Sequence, residues 1–164
     1  MPLNEDAIYL TPSGYSKLKE ELERLSTFER RQIAERIRES MEHGEYSEEN
    51  TELDEVKFEQ AVVENRIEEL KSILANAHVL EPSEVSTKVV SVGTKVTLKN
   101  RRSRKEVTVT IVSSAEADLN ANYVSDESPL GMALIGKQKG DIVTVETPSG
   151  KVTYEILKIG KAVK

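Results

Sequence analysis

No cysteine occurs in this chain of 164 residues, which excludes disulfides, a thiolate nucleophile and thiolate metal ligands. Tryptophan is absent too, and the two phenylalanines, Phe28 and Phe58, both lie in the first half. The second half therefore has neither Phe nor Trp and is expected to lack an aromatic-lined pocket for a prolyl ring or a stacked nucleobase. That half also shows no Ser/His/Asp grouping, no metal-ligand spacing and no glycine-rich phosphate loop; Gly131, Gly136 and Gly140 punctuate turns. No apolar run is long enough to cross a bilayer. With a polar, acidic N-terminus that does not read as a secretory leader, this sets the expectation of a cytosolic chain without a membrane partner.

What the chain has in abundance is carboxylate. From Glu42 to Glu55 there are seven acids in fourteen residues, with no Lys or Arg among them. Such a cluster is self-repelling and attracts hard cations, a property that suits Mg²⁺, although a solvated acidic turn has the same composition. Its position is informative, because it lies between two segments that both read as helix. In the second, Leu53, Val56, Gln60, Val63, Ile67, Leu70 and Leu74 recur at spacings of three and four, a heptad seam with one polar interruption. In the first, Thr11 can cap, Pro12 suits the first helical position, and Leu18, Leu22, Leu25, Phe28, Ile33, Ile37 and Met41 are the apolar positions. The spacing slips between Phe28 and Ile33, which predicts a kink or a change of seam near Glu29–Arg31. Helices this exposed are marginal alone, so the two arms are expected to pair as an antiparallel hairpin, each roughly 40 to 45 Å long at about 1.5 Å per residue. A coil of this kind can serve as a spacer or a dimerisation device. Concentrating charge at the turn suits instead a probe that inserts its end somewhere.

The charges divide unevenly. Before position 80 there are 10 basic and 19 acidic residues, and from there on 13 and 10, so the first part carries −9 and the second +3 of the net −6. A chain this acidic does not hold nucleic acid by bulk counterion release, and meets it only locally or through a partner. At Glu81-Pro82-Ser83-Glu84 the heptads stop and period-two patterning begins. The expected domains are 1–79, the hairpin with an acidic tip, and 80–164. In the latter, short β-branched strands are expected at Val89–Val92, Lys95–Leu98, Glu106–Val112, Tyr123–Ser125, Ile142–Val145 and Lys151–Leu157. One short helix, capped by Ser128 with Pro129 at its first position, interrupts them. The fold class is α+β, a coiled-coil hairpin followed by a small antiparallel sheet curled around one helix. The chemistry that the second domain can expose for docking is the loop Asp126-Glu127-Ser128-Pro129-Leu130 and the basic turn Arg101–Arg104.

Several motifs resemble one family. They are Tyr9-Leu10-Thr11-Pro12-Ser13-Gly14, Glu42-His43-Gly44, Ser47-Glu48-Glu49-Asn50, Glu64-Asn65-Arg66-Ile67, Ser128-Pro129-Leu130-Gly131-Met132-Ala133-Leu134-Ile135-Gly136-Lys137 and Thr147-Pro148-Ser149-Gly150. In this order, over essentially the whole chain, they resemble the bacterial Gre-type transcript cleavage factors. The resemblance implies an FKBP-like second domain without isomerase activity, docked at the mouth of the RNA polymerase secondary channel through Asp126–Leu130. It implies that the hairpin enters the channel and that the acidic tip helps the polymerase hold a second Mg²⁺ for cleavage of backtracked RNA. The factor would then be a monomer, not itself an enzyme and with no cofactor of its own. The polymerase and, through it, the nascent RNA 3′ segment would be its partners.

In the family the tip typically reads His-Gly-Asp, two further residues, then Glu-Asn. Here it reads His43-Gly44-Glu45-Tyr46-Ser47-Glu48-Glu49-Asn50, with Glu for Asp and one residue more. Glu45 and Glu49 are thus the expected catalytic and Mg²⁺-sharing acids when the count runs from the second arm, and Glu48 replaces Glu49 when it runs from Gly44. Arg36, Arg38 and Lys57 are the basic residues nearest the tip and the candidate RNA contacts, Lys57 alone being implied by the resemblance, and pairing of these cations with neighbouring acids is the competing reading. The competing function is a homologue that occupies the channel and regulates polymerase without stimulating cleavage.

Overall fold

The heptad seam of the second arm folds as a single helix, α3 (Thr51–Ala75), in a computed structural model that describes residues 7–44 and 51–163. Val56, Ile67 and Leu70 are buried, Leu53, Val63 and Leu74 are half-buried, and Gln60 faces solvent; Ile73, not assigned to the seam, is buried as well. The first arm is two helices, α1 (Pro12–Arg24) and α2 (Arg30–Gly44), joined by one π-helical turn, Leu25–Glu29. The slip in spacing is this turn. Leu18, Leu25, Ile33 and Ser40 are the buried positions, so the repeat lengthens from seven residues to eight across the turn and then returns to seven. Phe28 and Met41 were expected on the seam, but Phe28 lies within the wide turn and Met41 falls one residue past Ser40, which takes the position seven after Ile33, and they stand 55% and 54% exposed. The Arg30 N–H reaches the carbonyls of Leu25 and Thr27, and the Thr27 hydroxyl donates back to the Glu23 carbonyl at 2.8 Å.

Apolar burial supplies most of the hairpin's stability. Each fully buried Leu or Ile contributes about 1.5–3 kcal/mol, whereas an exposed ion pair contributes at most about 1. The ion pairs specify which faces meet. Arg66 grips both oxygens of Glu21 at 2.8 and 3.0 Å, and Arg30 grips both of Glu64 at 2.9 Å. Hydrogen bonds from Arg66 hold the Glu21 carboxyl below its ordinary pKa of 4.5. A lowered folded-state pKa adds stability that is complete above the unfolded value and is lost as pH falls through the folded one. The expected result is that Glu21→Gln lowers the thermal midpoint near neutrality and narrows the gap between neutral melts and melts in acid, because the parent's extra stability is lost as pH falls from the ordinary 4.5 through the lowered folded-state value.

The second compact unit combines the residues up to Tyr15 with those from Ala77 onward, while Ser16–Asn76 forms the first. The discontinuity arises because β1 (Ile8–Leu10) pairs in parallel with β2 (Ala77–Val79). A five-stranded sheet follows, built of β3 (Thr94–Asn100), β4 (Glu106–Val112), β5 (Tyr123–Ser125), β6 (Ile142–Thr147) and β7 (Gly150–Lys161), in the order β5-β4-β3-β7-β6. Three of its four pairings are antiparallel, but β4–β5 is parallel, which corrects the expectation of an antiparallel sheet. Two 3₁₀ turns, Ser114–Glu116 and Leu119–Ala121, take the place of a hairpin there and carry the chain back to the same end of the sheet. The Val89–Val92 run is not a strand. Val90 is buried, yet its N–H and carbonyl pair with Lys137 and Gly136 in the loop that follows the short helix.

That helix, α4 (Pro129–Leu134), lies against the core formed by Leu98, Ile111, Leu134 and Ile156. Ser128 caps it, its hydroxyl accepting the Gly131 N–H at 3.1 Å and donating to the Ser125 carbonyl at 2.6 Å. Gly131 must be glycine, since a Cβ there would lie 1.9 Å from the Ser125 carbonyl oxygen. Backbone cannot swing aside as a side chain can, so Gly131→Ala should destabilise the protein by about 2 kcal/mol or more, measured by denaturant titration.

Candidate functional site

Glu45, Glu48 and Glu49 lie outside the described residues; the helix ends on either side of that segment are described. Glu52 and Asp54 occupy the first turn of α3, where exposed amides favour anions. Glu39 and Glu42 lie exposed near the end of α2, where carbonyls point outward and anions are disfavoured. Helix electrostatics therefore accounts for the acids on one side and opposes those on the other. The segment Glu42–Glu55 carries seven carboxylates beside one imidazole, His43, and no Lys or Arg, a predominantly hard-oxygen donor set that fits Mg²⁺. Among the described residues alone no group of three or more His, Asp or Glu is placed to hold a metal.

The three cations nearest this end differ in their commitments. Arg36 gives both terminal nitrogens to Glu59, at 2.5 and 3.3 Å. That bond, with the fields of Glu59, Glu52 and Glu55, raises its already high pKa. Arg38 and Lys57 are exposed and make no ion pair among the described residues. The register set by Arg30–Glu64 and Arg36–Glu59 puts Arg38 level with Lys57 across the hairpin. Arg38 also borders a shallow groove along α2 with Ala34, Ile37, Met41 and Glu42.

In the sheet unit, Asp126-Glu127-Ser128-Pro129-Leu130 leads into α4 and is tied down by short bonds. The Ser114 hydroxyl donates to Glu127 at 2.8 Å, and the Glu127 N–H donates to the Ser125 hydroxyl at 3.1 Å. Burial, reinforced by the charge of Glu127, raises the pKa of Asp126. Leu130 is partly buried against the core, so it is not the apolar group this helix presents. Met132, 63% exposed on the helix, and Ile135, 38% exposed just past its end, are the apolar groups presented there. Sequence reasoning passed over both, although their spacing from the buried Leu134 was the available signal. The basic turn Arg101–Arg104 caps the β3–β4 hairpin and is built on Asn100, whose side chain accepts the N–H groups of Arg102 and Ser103. No helix among the described residues is long and apolar enough to cross a membrane.

Comparison with known proteins adds the following. Residues 8–79 match the profile of the family "Transcription elongation factor, N-terminal", and residues 85–161 that of "Transcription elongation factor, GreA/GreB, C-term". The transcription elongation factor GreA of Syntrophomonas wolfei is 43% identical over 96% of this chain and 98% of its own. Those of Acetivibrio thermocellus (45%, over 98% and 100%) and Thermoanaerobacter pseudethanolicus (46%, over 94% and 98%) are similar at the same level. Among solved structures, GreA factor homolog 1 of Thermus thermophilus matches 93% of this chain and 98% of its own at 32% identity, with a TM-score of 0.43.

Proposed function

Since the chain belongs to the GreA/GreB family of transcription elongation factors, we propose that it binds bacterial RNA polymerase, extends its hairpin into the secondary channel and stimulates cleavage of backtracked RNA. The observation that carries this reading is the placement of acids. Carboxylates continue to the end of α2, against the helix dipole, and are densest between that end and the start of α3. A helix pair selected only for stability or for dimerisation has no use for that arrangement.

In this reading the protein is a monomer that is not itself a hydrolase and works in the bacterial cytoplasm, where the polymerase is. Glu45 with Glu49, or with Glu48 in the other register, would share a Mg²⁺ with the polymerase, an ion that neutralises charge at the scissile phosphodiester and acidifies a bound water. The chain's own residues supply position. The buried seam of Val56, Ile67 and Leu70 keeps the hairpin stiff, and the cross-helix bridges fix its register. Lys57 and Arg38, level with each other and unpaired among the described residues, are set to contact the RNA backbone; Arg36 is held by Glu59 and contributes less. The segment Asp126–Leu130, with the exposed face of α4, docks the factor at the channel rim.

The test is an arrested elongation complex with labelled RNA, incubated with and without the protein. Shortened RNA is expected when both are present and none from the protein alone. A protein that binds the complex and slows synthesis without shortening RNA would replace this reading with that of a regulatory channel occupant.

A further inference from the structure

The start of α1 contains a capping box whose second half comes from elsewhere. The Thr11 hydroxyl accepts the Gly14 N–H at 3.1 Å, as an N-cap does. In the ordinary box the residue at Gly14's position is Glu or Gln, and its side chain returns to the backbone N–H of the cap. Glycine has nothing to return, yet the Thr11 N–H is satisfied. It donates to Glu116 Oε2 at 2.8 Å, and the Thr11 hydroxyl donates to Glu116 Oε1 at 2.6 Å, across 105 residues of sequence. Gly14 is buried, and a Cβ on it would lie 1.8 Å from Glu116 Oε1. The glycine therefore occupies a helical position, where it weakens the helix relative to alanine, because the Glu116 carboxylate fills the space its side chain would need. Glu116 closes the 3₁₀ turn Ser114–Glu116 that follows β4, and its negative charge suits the amide end of a helix.

We propose that Glu116 is a positioning residue, a carboxylate that locks the root of α1 onto the sheet unit and so limits the directions in which the coiled coil delivers its acids. The first turn of α1 belongs by its contacts to the sheet unit, while the same unbroken helix continues to Arg24 in the hairpin. Reorienting that root means breaking both bonds to Glu116. The link to cleavage rests on the function proposed above; the lock itself does not.

Because the chain has no native cysteine, nitroxide labels can be placed at will on the full-length protein, for example at Gln32→Cys and Lys139→Cys, both exposed. Two variants cut the lock. Glu116→Ala removes the carboxylate, while Gly14→Glu supplies a local cap and expels Glu116. The latter's clash falls on the flexible end of a side chain, so the backbone stays in place. Both are expected to broaden the label-to-label distance distribution, with the thermal midpoint of Gly14→Glu kept near that of the parent. Glu116→Gln retains an acceptor for the Thr11 N–H and should give an intermediate width. With polymerase, Gly14→Glu should lower the cleavage rate at saturating factor by about threefold or more, with the half-saturating concentration changed less than about twofold. The distances are measured without polymerase, so an unchanged width in both cut variants overturns the lock whatever the cleavage assay shows. A broadened width with an undiminished cleavage rate overturns the positioning role and leaves the functional reading standing.

Discussion

Glu49→Ala is expected to lower the cleavage rate stimulated by this protein by about 10²-fold at limiting Mg²⁺, since in the proposed mechanism it removes a ligand of a shared metal, and a lost or misplaced ligand costs on that order. Glu45→Ala has a similar effect, and Glu48→Ala a smaller one if the residue count runs from the second arm. The three variants thereby distinguish the two registers left open by the longer tip. Affinity for polymerase should be nearly unchanged. Each substitution removes one of seven acids between Glu42 and Glu55 and leaves the seam and the cross-helix bridges intact. The experiment measures single-turnover RNA shortening across a Mg²⁺ titration, with binding measured in parallel. Full activity in both Glu45→Ala and Glu49→Ala would mean that the tip carboxylates are not ligands, and the proposed mechanism would fail.

The second large effect is on docking. Met132→Glu should weaken polymerase binding by about tenfold or more, about 1.4 kcal/mol, if Met132 is the apolar anchor of the docking face, since loss of such a hot spot costs about 2 kcal/mol or more. Leu130 is a less informative target. It packs partly against the core, so Leu130→Glu would lose fold stability as well as any contact. Met132, 63% exposed, can change without disturbing the interior. The comparison should be run in the full chain, because a piece beginning at residue 80 would omit both β1 and β2. Equal affinities for Met132→Glu and the parent, at equal thermal midpoints, would move the docking surface to the basic turn Arg101–Arg104.

The parts of this fold that sequence revealed are those held together by local periodicity. The seam of α3 is a heptad, and the hairpin β6–β7 alternates around Thr147-Pro148-Ser149-Gly150; in both cases the contacts that matter lie within a few residues. The pairing of β1 with β2 joins two three-residue strands separated by the whole hairpin, and three residues carry no period. The Val89–Val92 run has strand composition, but its hydrogen-bond partners are a loop, and propensity does not report what a neighbour offers. At the site, charge was legible and commitment was not. Arg36, Arg38 and Lys57 look alike in one dimension, and only the register of the two helices reveals that Glu59 already holds Arg36. Glu116 was invisible as a partner, although a glycine three residues after a capping threonine, where a box would have Glu, was a trace of it.

The π-helical turn at Leu25–Glu29 bears on how such a hairpin can change length. One residue advances an α-helix by about 1.5 Å but turns it by about 100°. Deleting a residue within this turn would only return the spacing from Leu25 to Ile33 to seven. Deleting one between Glu21 and Leu25, where no wide turn absorbs the change, would hardly shorten the rod, yet it would swing everything before it around the axis, taking Leu18 out of the seam and Glu21 away from Arg66. Phase, more than reach, is what an insertion or deletion alters. Changes of a whole turn preserve the facing surfaces, and a single extra residue is admitted only where, as here, a wider turn absorbs the rotation.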